Sequence, residues 1–103
     1  MYYIYMLRCQ DNSIYTGITT DLTRRMEEHF CKNERCAKYT FRHTAKKLEM
    51  AWQTQNRALA SKLEYHLKTL TKVQKEAVIK NPTLLSTFLS TKIIGEEYKP
   101  IHP

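Results

Sequence analysis

Residues 2–9 read YYIYMLRC and residues 14–18 read IYTGI. Between them lies Gln10-Asp11-Asn12-Ser13, a run of side chains that hydrogen-bond their own backbone and favour turns. The first run is apolar or aromatic on both alternating faces, with Tyr3, Tyr5, Leu7 and Cys9 on one and Tyr2, Ile4 and Met6 on the other. A strand with two apolar faces belongs near the centre of a sheet, covered on both sides. The two runs therefore pair as an antiparallel hairpin with a loop of about four residues.

Beyond the hairpin the periodicity changes. Asp21 suits the N-cap of a helix running to about Phe30, with Leu22, Met26, His29 and Phe30 on one side. Residues 48–53, LEMAWQ, alternate and supply a third strand. Asn56 opens a long helix whose buried stripe is Leu59, Leu63, Leu67 and Leu70. A shorter helix covers about 72–80, and Pro82 stands at the first turn of another that ends near Leu89. The order β-β-α-β-α-α predicts an α+β domain, a small three-stranded antiparallel sheet flanked by helices. Residues 1–90 form the single expected domain. Residues 91–103, with Gly95, Pro100 and Pro103, are expected as a C-terminal tail, in which Ile93-Ile94 packs on its own core or is disordered, with a partner contact as the alternative.

Composition narrows the function. The 103 residues carry 17 basic and 10 acidic side chains, a formal charge of +7. That excess points to a polyanionic partner, of which nucleic-acid backbones are the commonest. There are two glycines, Gly17 and Gly95, and neither belongs to a GxGxxG or P-loop pattern, which excludes the nucleotide-cradle enzymes. Cys9, Cys31 and Cys36 are an odd set, unlike a secreted disulfide framework. The apolar start meets Arg8 after seven residues and has no basic leader, so it reads as neither a signal peptide nor a membrane span. A cytoplasmic chain with reduced thiols and no membrane partner is expected.

Three constellations carry chemistry. In the first, Tyr5 and Tyr15 lie on neighbouring strands of the hairpin and share a face. Arg25 and His29 stand one turn apart on the first helix. Glu64 flanks the buried stripe of the long helix, where a side chain leaves the core and lines a cleft. Each has a plainer reading: strand aromatics for the tyrosines, ion pairs Asp21–Arg25 and Glu64–Lys68 on their helices, and a satisfied core histidine for His29. The second is the stretch 32–47, a basic loop in which Lys32, Arg35, Lys38, Arg42, Lys46 and Lys47 face the single Glu34. Its cations neutralise phosphates, and Tyr39 and Phe41 stack on bases or anchor the loop. Lys68, Lys72, Lys75 and Lys80 extend this positive surface. The third, His29, Cys31, Cys36 and His43, has the wrong spacing for common zinc sites, and free thiols are the better reading.

The ordered motifs give a resemblance. Tyr3-Ile4-Tyr5 and Tyr15-Thr16-Gly17 resemble the paired tripeptides of the GIY-YIG nuclease family, with Tyr3 in place of the first Gly and Thr16 in place of the second Ile. The run Gly17-Ile18-Thr19-Thr20-Asp21-Leu22-Thr23-Arg24-Arg25, then His29, looks like the helix that follows in that family, and Glu64 in LEYHLKTL matches its later glutamate. Ala37-Lys38-Tyr39-Thr40 is similar to the small stand-alone bacterial, YhbQ-like branch. The resemblance covers residues 1–80.

It implies a nuclease, an endonuclease that hydrolyses phosphodiester bonds, of DNA before RNA, with one divalent metal, Mg²⁺ or Mn²⁺, held by Glu64. Tyr15 would help take the proton of the attacking water and Tyr5 would position it. Arg25 would steady the phosphoryl charge, and His29 would orient a tyrosine or relay the proton. Gly17 would let substrate or helix approach the strand closely. The competing readings are a non-catalytic nucleic-acid-binding module and an adaptor of a DNA-processing complex.

Overall fold

The computed structural model describes residues 1–30 and 44–101. Its elements are β1 (Tyr2–Cys9), β2 (Ile14–Thr19), α1 (Leu22–Phe30), β3 (Ala45–Thr54), α2 (Arg57–Thr69), α3 (Lys72–Lys80), α4 (Leu84–Phe88), a 3₁₀ turn (Gly95–Glu97) and β4 (Lys99–Ile101). The four strands form one antiparallel sheet in the order β2-β1-β3-β4.

The expected hairpin forms. The Cys9 N–H donates to the Ser13 carbonyl at 2.9 Å, and the Asn12 N–H to the Cys9 carbonyl at 2.9 Å. Asn12 takes φ 68°, the left-handed conformation an Asn tolerates and this short loop needs. The register then sets Tyr5 opposite Gly17 and Leu7 opposite Tyr15. β1 lies between β2 and β3, and its residues from Ile4 to Cys9 are all buried, as a strand with two apolar faces requires.

Helices cover both faces of the sheet. On one, Ile4, Met6, Met50 and Trp52 pack with Ala60, Leu63 and Leu67 of α2, Val78 of α3, Leu85 of α4, and Leu89, Ile93 and Tyr98. On the other, Tyr5, Leu7, Ala45 and Ala51 pack beneath Leu22 and Met26 of α1. The helix starts follow the capping chemistry. Asp21 Oδ1 accepts from the Arg24 N–H at 3.1 Å, and Asn56 Oδ1 from the Leu59 N–H at 2.9 Å. Thr71 and Gln74 close a reciprocal capping box.

Three expectations change. The sheet has four strands, because residues 99–101 pair with β3, Trp52 facing Pro100. Residues 91–101 run back over the sheet, with Ile93 and Tyr98 buried while Ile94 stays exposed. β3 spans Ala45–Thr54, so Lys46 and Lys47 are exposed strand residues and not part of a loop. β4 escapes the sequence pattern because three residues, one a proline, show no alternation. Bonding parity along the sheet turns the nitrogen of Pro100 outward, where its missing N–H leaves no donor for another strand.

One part-buried polar cluster ties these elements together. Arg8 is 8% exposed and donates through Nε and Nη2 to Glu49 Oε2 at 3.1 and 3.0 Å. Its Nη1 reaches Glu76 Oε2 at 2.6 Å and Asn12 Oδ1 at 3.1 Å, and its Nη2 also meets Glu76. Lys72 Nζ donates to Glu76 at 2.8 Å and to the Asn12 carbonyl at 2.7 Å. Arg8 first, and Lys72 second, hold the Glu76 carboxyl down at about 2. The hairpin turn, β3 and α3 are thereby joined at one end of the sheet. Among the described residues no helix is long and apolar enough to cross a membrane.

Candidate active site

Strand parity brings Tyr5 and Tyr15 to the α1 side of the sheet, and helical spacing stacks Arg25 above His29 on α1. The four converge. The Tyr5 hydroxyl lies 2.7 Å from His29 Nε2, and Arg25 Nε donates to the same oxygen at 3.2 Å. The Tyr5 hydroxyl thus sits between the guanidinium and the imidazole, and which of the phenol and Nε2 donates follows the His29 tautomer. The rings form a triangle: Tyr5–His29 centroids are 5.4 Å apart, Tyr15–His29 5.3 Å and Tyr5–Tyr15 6.1 Å.

Burial divides their roles. Tyr5 is 0% and His29 1% exposed, whereas Tyr15 and Arg25 are half-buried at the rim. Desolvation pushes Tyr5 up to about 12, partly offset by the Arg25 hydrogen bond. Burial, with the Arg25 charge second, pushes His29 down to about 4. Both are neutral at pH 7, so the inner pair is a hydrogen-bonded support and not a pair of ions.

Arg25 departs from its plain reading. Its expected helix partner Asp21 is occupied in capping α1. Arg25 Nη1 instead meets Glu28 Oε1 at 2.9 Å, and holds that carboxyl below its ordinary range. Glu28 was missed; its i,i+3 spacing from Arg25 was the available signal.

Gly17 has a definite steric cause. A Cβ there would stand 2.5 Å from the Tyr5 hydroxyl oxygen, 2.7 Å from Tyr5 Cζ and 3.0 Å from Tyr15 Cε2. The space is filled by the Tyr5 ring itself, where a close approach of substrate or helix was expected. Beside it, the Thr16 hydroxyl is buried without a hydrogen-bond partner among the described residues.

Glu64 comes from the opposite side of the sheet. α2 packs against β2 and β1, and the negative charge of Glu64 acts on the Tyr5 hydroxyl. Its side chain is 24% exposed and pairs with Lys68 Nζ at 3.6 Å, the plain helix pair the spacing predicts. Among the described residues no three His, Cys, Asp or Glu side chains gather as a ready-made metal cage. One accessible carboxylate fits a hard cation that keeps its waters and takes substrate phosphate oxygens as further ligands.

Lys32, Arg35, Lys38, Tyr39, Phe41 and Arg42 lie outside the described residues, as do Cys31, Cys36 and His43 of the dismissed zinc grouping. Lys47 pairs with Glu49 at 3.2 Å. A cavity of about 890 Å³, lined in part by Trp52, Leu85, Ile93 and Tyr98, touches none of the five candidate residues.

A small antiparallel sheet that presents two tyrosines, an arginine, a histidine and a glutamate in this order defines a class. The chain belongs to the GIY-YIG family, matching the GIY-YIG catalytic domain over residues 1–77. Members of that family are usually nucleases that depend on a divalent metal. Its relatives include UPF0213 protein FN1575 of Fusobacterium nucleatum, 43% identical over 81 residues, 79% of each chain. UPF0213 protein YhbQ of Salmonella typhimurium is 38% identical over 90 residues, 87% of this chain and 88% of its own. The solution NMR structure of UPF0213 protein BH0048 from Bacillus halodurans is similar with a TM-score of 0.50 and 35% identity, over 87% of this chain and 98% of that one.

Proposed function

We propose that this chain is a metal-dependent nuclease that hydrolyses phosphodiester bonds of nucleic acid, with DNA the favoured substrate. The observation that carries the reading is the Tyr5–His29–Arg25 hydrogen-bonded cluster with Tyr15 at its rim. In this reading Tyr15 is the phenol that meets the attacking water. A phenol needs a neighbouring cation to accept a proton at neutral pH; Arg25 and the bound metal would be the cations at hand. Arg25 also faces the phosphoryl oxygens. Tyr5 and His29, both buried, are positioning residues that fix Arg25 and Tyr15. Glu64 would hold Mg²⁺ or Mn²⁺, which when bound supplies Lewis-acid charge to the phosphate. Lys46, Lys47 and the cations of residues 32–42 would neutralise neighbouring phosphates.

The test is a cleavage panel of duplex, nicked, flapped and single-stranded DNA, and RNA, with Mg²⁺ or Mn²⁺. The wild type is expected to cut at least one substrate. Glu64→Ala should abolish cutting, and Arg25→Ala should slow it by roughly 10²–10³-fold, as for loss of one charge-stabilising donor. A folded wild type that binds nucleic acid in a salt-dependent way but cuts none of these substrates would replace this reading with the non-catalytic binding module.

A further inference from the structure

Among the described residues five large apolar side chains stand exposed: Met1, Phe30, Tyr65, Val73 and Ile94. Of these, Tyr65 alone is on the helix that carries Glu64. Its neighbours two positions away, Leu63 and Leu67, are buried in the core. At 3.6 residues per turn this turns Tyr65 directly away from the sheet, and it is 65% exposed. The ring contributes nothing to the core. It is braced, however, by the edge of the His66 ring, with centroids 5.1 Å apart and planes at 74°. Lys62 and Lys68 lie three residues before and after it, on the same helix face. Both are exposed, and Lys68 is the residue paired with Glu64. A flat, oriented ring between two cations, one residue from the glutamate, matches the way proteins hold a nucleotide: stacking for the base, ammonium groups for the phosphates.

We propose that Tyr65 is a nucleobase contact on the outer face of α2, beside Glu64 and outside the tyrosine–histidine cluster, a ring on which one base of the bound strand stacks while Lys62 and Lys68 meet its flanking phosphates. This rests on the nucleic-acid reading above and adds a residue and a geometry to it. In a duplex both faces of a base are covered by its neighbours, so the ring can engage only a base outside the stack. Affinity gained at Tyr65 therefore belongs to strands with an accessible base and not to blunt duplex. The aromatic ring is what matters, and the phenol hydroxyl is dispensable.

The experiment uses the full chain carrying Glu64→Ala, so that binding is read without turnover. The probe is an oligonucleotide containing the fluorescent base 2-aminopurine, presented as a single strand and as a blunt duplex. Binding of the single strand should quench the fluorescence with Tyr65 or Tyr65→Phe present and leave it bright with Tyr65→Ala. Tyr65→Ala should weaken single-strand affinity about tenfold or more and leave duplex affinity unchanged. An unchanged urea midpoint establishes that this exposed substitution leaves the fold intact. Equal affinity and equal quenching for Tyr65→Ala and its parent would overturn the contact, and equal losses on strand and duplex would overturn stacking as its basis. Cleavage by the chain with Glu64 restored is measured separately. Cutting without any Tyr65 dependence removes the contact and leaves the nuclease reading standing; Tyr65-dependent quenching without cutting does the reverse.

Discussion

Tyr5 and His29 hold one hydrogen bond between two neutral groups, and burial moves their titrations in opposite directions. His29 ordinarily titrates at 6.5 and here at about 4. As pH falls, the unfolded chain takes up the proton first, so this contribution is complete above pH 6.5 and is lost between 6.5 and 4. By linkage the loss amounts to roughly 3 kcal/mol. Tyr5, raised from 10 to about 12, acts at the other end: stability falls as pH rises through 10. Urea denaturation between pH 7 and 4.5, above the range where Glu76 contributes, should show the first slope, and His29→Gln should flatten it. The sequence makes half of this pair legible. Strand alternation placed Tyr5 with Tyr15, and i,i+4 spacing placed Arg25 with His29. The depth of Tyr5 was not legible, because Ile4 to Cys9 are all candidates for burial and only the packed α1 and the empty Cβ position of Gly17 show how closely the ring is held.

At the scale of elements, Arg8 is the residue the sequence hid. Its partners Glu49 and Glu76 lie 41 and 68 positions away, beyond any local pattern. Removing the guanidinium leaves, among the described residues, Glu49 with Lys47 alone and Glu76 with Lys72 alone at a partly exposed site, and Arg8→Ala is expected to destabilise the fold by about 1–3 kcal/mol in urea denaturation. Glu76→Gln, which keeps shape and leaves Glu49 paired, should cost less. The helices were more legible, because their starts are written in single residues: Asp21, Asn56 and Thr71 each accept from the backbone N–H three positions on. β4 was illegible for the opposite reason. Its pairing with Ala51, Trp52 and Gln53 is a long-range contact, and a proline argues locally against a strand.

For the whole molecule, the last residues complete the larger core. Ile93 and Tyr98 are buried in it, and the Tyr98 hydroxyl donates to the Leu59 carbonyl at 2.7 Å. Truncation after Ser90 should therefore remove about 3–6 kcal/mol of burial, a large share of the roughly 5–15 kcal/mol that holds an ordinary domain together. A lowered urea midpoint would show it, and a truncated chain as stable as the full one would refute it. Among the described residues the two faces of the sheet are unequal, thirteen buried core residues on the α2–α4 side against four on the α1 side. The candidate tyrosines, arginine and histidine all lie on the smaller side. In the proposed reading the sheet is a partition with one crossing: most of the apolar packing lies behind it and the tyrosine–arginine–histidine cluster in front, while Glu64 comes round from the packed side. Exposed rim side chains can then change one at a time while the packing behind the sheet keeps the chain folded.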